Sequence, residues 1–202
     1  MSGPRLDFWF ELASTYSYLS AARIGEVTRL AGVELRFRPF LLGPIFKAQG
    51  WKDSPFNLYP AKGRCMWRDM ERLCEQYGLR FTHPSQFPRN GLLAARVACA
   101  ARDEGWLPEF VDAVYRANFA EDRDIAQDDV LCDILGALGQ PGADWIRRAQ
   151  EPAAKERLRG STEEAQRIGI FGAPSFTVGD ELFWGNDRMG DAIAWCRTAA
   201  SG

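Results

Sequence analysis

Apolar and polar residues alternate from Arg5 to Glu11, with Leu6, Phe8 and Phe10 set against Asp7, Trp9 and Glu11. A period of two predicts a strand with one buried face. From Thr15 to Ala31 the spacing changes. Tyr18, Leu19, Ala22, Ile24, Val27 and Leu30 recur at helical intervals, and Gly32 ends the run. Val33 to Phe40 alternates again. Strand, helix and strand in that order predict two parallel neighbouring strands joined by a helical crossover.

A loop rich in Gly, Pro and aromatics follows over 41–60. The next ninety residues carry only helical spacing, in segments near 61–77, 89–104, 108–120, 127–138 and 142–149. Gly78, Pro84, Pro88, Gly105, Pro108, Gly139 and Pro141 break it. Another helix is predicted over 152–168, with Pro152 suited to its first turn. Strand patterns then return. Pro174–Val178 and Glu181–Trp184 flank Gly179-Asp180, a two-residue hairpin signal, and a last helix runs from about Asp187 to Thr198. Without the helical block the order is βαβ–αββα. The expected fold is α/β, with a discontinuous domain of residues 1–60 and 152–202 and an inserted helical domain of residues 61–151.

Composition narrows the class. Of 202 residues, 46% are hydrophobic and 26% charged, a globular balance able to bury a core without staples. The formal net charge of -2 supplies no basic field for nucleic acid. No window of about 18 apolar residues suggests a membrane span. The start of the chain has no secretory pattern. The five cysteines, Cys65, Cys74, Cys99, Cys132 and Cys196, are scattered and form no Cys-x-x-Cys. The expectation is a reduced, cytoplasmic protein. No His, Cys, Asp or Glu cluster has metal-ligand spacing, so no metal is expected.

The chemistry is concentrated at the junction of the first strand and first helix, Glu11-Leu12-Ala13-Ser14-Thr15-Tyr16-Ser17. A side chain there meets unpaired N–H groups and the positive end of the helix dipole, which stabilise an anion. On local grounds alone Ser14 is an N-cap. Asn186 and Asp187 read equally well as caps of the last helix. Lys47, Lys52, Lys62, Trp51 and Asn57 read singly as surface residues.

Three blocks change those readings when taken together: Ser14-Thr15-Tyr16-Ser17, Phe171-Gly172-Ala173-Pro174-Ser175 and Leu182-Phe183-Trp184-Gly185-Asn186-Asp187. In this order, around a helical insert, they resemble the 2-hydroxychromene-2-carboxylate isomerase family. These are bacterial relatives of kappa-class glutathione transferases, with a DsbA-like thioredoxin fold. Gly43-Pro44-Ile45-Phe46-Lys47 and Pro60-Ala61-Lys62-Gly63 are similar to that family's loop and first inserted helix. Thr15 stands where the family usually has proline, and the 49–54 loop lacks the asparagine that kappa-class relatives place near glutathione.

The resemblance implies a role for each matched residue. Ser14, in the position of a redox cysteine, would donate a hydrogen bond to the thiolate of bound glutathione. A cis Ala173-Pro174 bond would turn the Ala173 N–H and C=O outward to pair with the cysteinyl backbone. Asn186 and Asp187 would hold the γ-glutamyl end. Apart from the resemblance, Lys47 and Asn57 border the expected cleft and are the candidate contacts to an acidic aromatic substrate, which a cation beside apolar and aromatic walls would suit. The implied activity is glutathione-dependent isomerisation of a small unsaturated aromatic carboxylate. The alternative is a kappa-like glutathione transferase or peroxidase. A DsbA-like oxidoreductase is opposed by the two serines, and a non-catalytic glutathione-binding protein is the remaining reading. The resemblance also implies a homodimer, which the aromatic-rich stretch from Phe46 to Tyr59 would suit.

Overall fold

The computed structural model describes residues 5–199. Strand β1 (Arg5–Phe10) leads through a tight turn into α1 (Thr15–Ala31) and then β2 (Glu34–Pro39). Helices α2 (Leu42–Ala48), α3 (Pro55–Leu58), α4 (Pro60–Tyr77), α5 (Leu92–Ala100), α6 (Leu107–Phe119), α7 (Asp128–Ala137), α8 (Gly142–Gln150) and α9 (Pro152–Arg167) follow. The chain ends in β3 (Ser175–Val178), β4 (Glu181–Trp184), a 3-10 turn (Asn186–Arg188) and α10 (Met189–Ala199).

The four strands form one sheet in the order β2-β1-β3-β4. β1 and β2 are parallel, with Phe8 opposite Phe37. β3 is antiparallel to both β1 and β4, with Phe8 opposite Phe176 and Val178 opposite Glu181. The parallel pair and the terminal hairpin match the expected βαβ–αββα frame.

Leu6, Phe8 and Phe10 are fully buried on one sheet face. Phe8 stacks between Phe10 at 5.2 Å and Phe176 at 5.5 Å. Burying each such ring contributes about 1.5–3 kcal/mol. The same core continues without a break into Phe110, Val111, Tyr115 and Phe119 of α6, so α1 is held between the sheet and the helical block.

The alternation in β1 predicted Trp9 on a polar face. Trp9 is instead buried in a second cluster with Phe40, Ile45, Ala165 and Ile170, because α9 and α2 cover that side of the sheet. A second difference lies in residues 41–60, where α2 and α3 replace the expected loop. Ser54 caps α3 by accepting the Phe56 N–H at 3.3 Å, with Pro55 in the first turn. Helices of 7 and 4 residues are too short to show a 3.6-residue period. Among the described residues no helix is long and apolar enough to cross a membrane.

Candidate active site

Ser14 sits at the start of α1 with extended backbone angles. Its N–H donates to the Glu11 carbonyl at 2.9 Å, which closes the turn out of β1. Its Oγ accepts the Ser17 N–H at 3.4 Å. The N-cap reading therefore holds. The same Oγ also donates to the Ala173 carbonyl oxygen at 3.0 Å, tying the helix start to the chain entering β3. The Ala173-Pro174 bond is cis, as expected. The Ala173 carbonyl oxygen, on the same cleft as Ser14, is engaged by the Ser14 hydroxyl.

Both segments face a cleft of about 1830 Å³. A typical small-ligand pocket is roughly 300–1,000 Å³, so there is room for a tripeptide and a second molecule. The walls come from the Glu11–Tyr16 turn, the α2–α3 arm, the cleft face of α4, the 87–92 segment and the 184–188 turn.

Ser14, Ala173, Asn186, Asp187 and Lys47 all lie on this cleft. Asn57 does not line it. Its Nδ2 donates to Asp53 Oδ2 at 3.1 Å and to the Phe87 carbonyl at 3.2 Å, so it braces α3 against the 87–92 segment. Pro174 stands behind the wall, where its carbonyl accepts the Gly185 N–H at 2.9 Å. Asn186 and Asp187 differ sharply. Asn186 is buried, and its Oδ1 accepts from Ser20 Oγ at 3.0 Å and Arg23 at 2.6 Å, which fastens the turn to α1. The Asp187 side chain is 74% exposed, with its nearest cation, Arg188, at 3.5 Å.

The structure adds groups that sequence patterns did not single out. Tyr16 donates its hydroxyl to Asp69 Oδ2 at 2.9 Å. Burial and that carboxylate push the phenol up, so it stays a neutral donor. Phe171 and Trp184 make an edge-on aromatic pair at the rim, with centroids 4.8 Å apart. Glu11 lines the floor beside Ser14. Burial pushes its carboxyl up to about 7, against the lowering effect of the Ala13 N–H. The signal for Glu11 was a carboxylate placed three residues before the helix cap, at the end of an apolar strand.

None of the five cysteines lines the cleft. All are free thiols, with Cys65 exposed on α4 and Cys74, Cys99 and Cys196 buried. Among the described residues no group of three or more His, Cys, Asp or Glu could hold a metal ion.

Residues 5–192 match the family of the DSBA-like thioredoxin domain. The chain is 28% identical over 186 residues to a 2-hydroxychromene-2-carboxylate isomerase of Sphingobium xenophagum, covering 91% of this chain and 93% of that one. It is 24% identical over 200 residues to glutathione S-transferase kappa 1 of Caenorhabditis elegans, covering 92% and 88%. A solved structure of 2-hydroxychromene-2-carboxylate isomerase superposes with a TM-score of 0.86 at 24% identity, over 98% of both chains. Strand order, the serine at the α1 start, the cis proline before β3 and a family match over nearly the whole chain agree, and the chain belongs to the DSBA-like thioredoxin domain family.

Proposed function

We propose that this protein is a glutathione-dependent isomerase of a small unsaturated aromatic carboxylate, of the kind 2-hydroxychromene-2-carboxylate represents. The observation that carries this reading is Ser14. Its hydroxyl caps α1 on the cleft wall, opposite the cis Ala173-Pro174 bond, and no thiol shares the cleft. The site thus has the anion-stabilising position of a redox centre without a sulfur of its own. Bound glutathione would supply a thiolate able to add reversibly to a conjugated carbon and leave again.

The residues present fit that group. Ser14 would donate a hydrogen bond to its sulfur. The N–H groups of Thr15 and Tyr16, at the first positions of α1, have no carbonyl within the helix to pair with. A hydrogen bond to an ionised partner is worth about 1.5–3 kcal/mol, enough to lower the pKa of the bound thiol by about one to two. Ala173 presents backbone on the same wall, Asp187 offers a carboxylate to the ligand's ammonium, and Lys47 a cation to a carboxylate. Phe171 and Trp184 give the second substrate an aromatic rim.

The rival is a kappa-like glutathione transferase or peroxidase, and similarity to the kappa relative over the same span favours it. The two separate on stoichiometry. An unsaturated aromatic carboxylate incubated with the protein and limiting glutathione is expected to isomerise over many turnovers with glutathione recovered intact. Glutathione consumed in proportion to turnover, one per conjugate formed or two per peroxide reduced, would assign the rival. Absence of calorimetric glutathione binding would remove both. We further infer a reducing cytoplasm, supported by the five free thiols, and a homodimer, supported by the aromatic-rich stretch from Phe46 to Tyr59.

A further inference from the structure

Glu11 directly follows β1, three residues before Ser14, and has no part in the reading above. Its Oε2 accepts the Ala13 N–H at 3.1 Å, which folds the carboxyl forward over the turn that carries Ser14. Its backbone carbonyl accepts the Ser14 N–H at 2.9 Å and the Tyr115 hydroxyl at 2.9 Å. The N-terminal end of α5 closes the other side. A Cβ on Gly91 would stand 3.2 Å from Glu11 Oε1 and 3.4 Å from Leu12 Cβ, so glycine lets the backbone approach the carboxyl.

Among the described residues no lysine or arginine pairs with Glu11. Arg89, two residues before Gly91, turns its guanidinium to Asn118, Ser85 and Asp122. The titratable group packed against Glu11 is Tyr115 of α6, whose phenol burial holds neutral. A carboxyl fixed by one oxygen, placed on a cleft floor and free of a cation is suited to receive a proton. Its titration near 7 lets it hold that proton or release it at neutral pH.

We propose that Glu11 is the proton acceptor of this site, taking the thiol proton of bound glutathione while Ser14 hydrogen-bonds the sulfur. This rests on the glutathione reading. The S–H bond breaks, its electron pair stays on sulfur, and an O–H bond forms on the Glu11 carboxyl. Nothing is oxidised or reduced, and the charge of the site is unchanged. Transfer to Glu11 also avoids two adjacent anions on one cleft floor.

The test is a proton count. Protein and glutathione are mixed in weakly buffered solution near pH 8, below the ordinary thiol pKa of about 8.5. Ultraviolet absorbance reports thiolate and an indicator dye reports protons released. Wild type is expected to form thiolate with no net release, and Glu11→Gln to release one proton per thiolate. One proton per thiolate in wild type overturns the proposal without recourse to the variant, as does equal release in both proteins. No thiolate band in either protein would overturn the glutathione reading itself, and this inference with it.

Discussion

The Ser14 hydroxyl donates to the Ala173 carbonyl oxygen at 3.0 Å, although the two residues are 159 positions apart in the chain. This contact joins the start of α1 to the cis-proline segment and aims the hydroxyl into the cleft wall. A neutral hydrogen bond of this kind contributes about 0.5–1.5 kcal/mol, and one to an ionised partner about 1.5–3. An anion bound at the α1 start would therefore outcompete the carbonyl and draw the hydroxyl from Ala173 to itself.

The adjacent residues Asn186 and Asp187 differ in burial, and different parts are expected of them. Asn186→Ala removes the acceptor of Ser20 and Arg23 and is expected to lower stability by about 1–3 kcal/mol. Asp187→Asn changes an exposed carboxylate. It is expected to leave the melting curve in place and weaken glutathione binding by about 1–2 kcal/mol, the value of a charged contact discounted for exposure. Calorimetry and thermal melting on both variants check this. Unchanged affinity in Asp187→Asn would remove it from the ligand site.

Glu11 makes stability depend on pH. Its carboxyl is raised from 4.5 to about 7 by burial, so the folded protein binds the proton more tightly than the unfolded chain. The stability this contributes is fully present below pH 4.5 and lost as pH rises through 7. The loss amounts to about 3 kcal/mol. Urea unfolding at a series of pH values is expected to show this decline in wild type and a flatter profile in Glu11→Gln.

Gly172 carries the Trp184 indole against its backbone, where an added Cβ would overlap the indole nitrogen. Trp184 is 53% exposed and can swing outward. Gly172→Ala is expected to change stability by less than about 0.5 kcal/mol. It should raise KM for an aromatic substrate by about threefold to tenfold with kcat little changed, since one aromatic contact at the rim contributes about 1 kcal/mol. Steady-state kinetics check it.

Much of the fold is legible in the sequence, for identifiable reasons. The β1–α1 junction is marked by a change of period from two to 3.6, and that change puts Ser14 on the helix start. The hairpin follows from Gly179-Asp180, whereas the cis Ala173-Pro174 bond follows only from the resemblance of three separated blocks to a known family. Alternation does not reveal that α9 covers the second face of the sheet, so the pattern sets Trp9 with the polar residues. Asn57 sits on a four-residue helix whose side-chain directions no pattern encodes, and it points to Asp53 and Phe87. Glu11 occupied a polar slot in the strand pattern, and only the fold brings Gly91 against it. Asn186 and Asp187 share one sequence signal, and packing against Ser20 and Arg23 separates them.

The central claim is that Ser14 stabilises a thiolate the protein does not itself carry. Ultraviolet difference titration of glutathione bound to wild type and to Ser14→Ala tests it most directly. Wild type is expected to show a thiolate pKa below the ordinary thiol value of about 8.5 by one to two, with Ser14→Ala returning toward that value. The same thiolate pKa in both proteins would contradict the account.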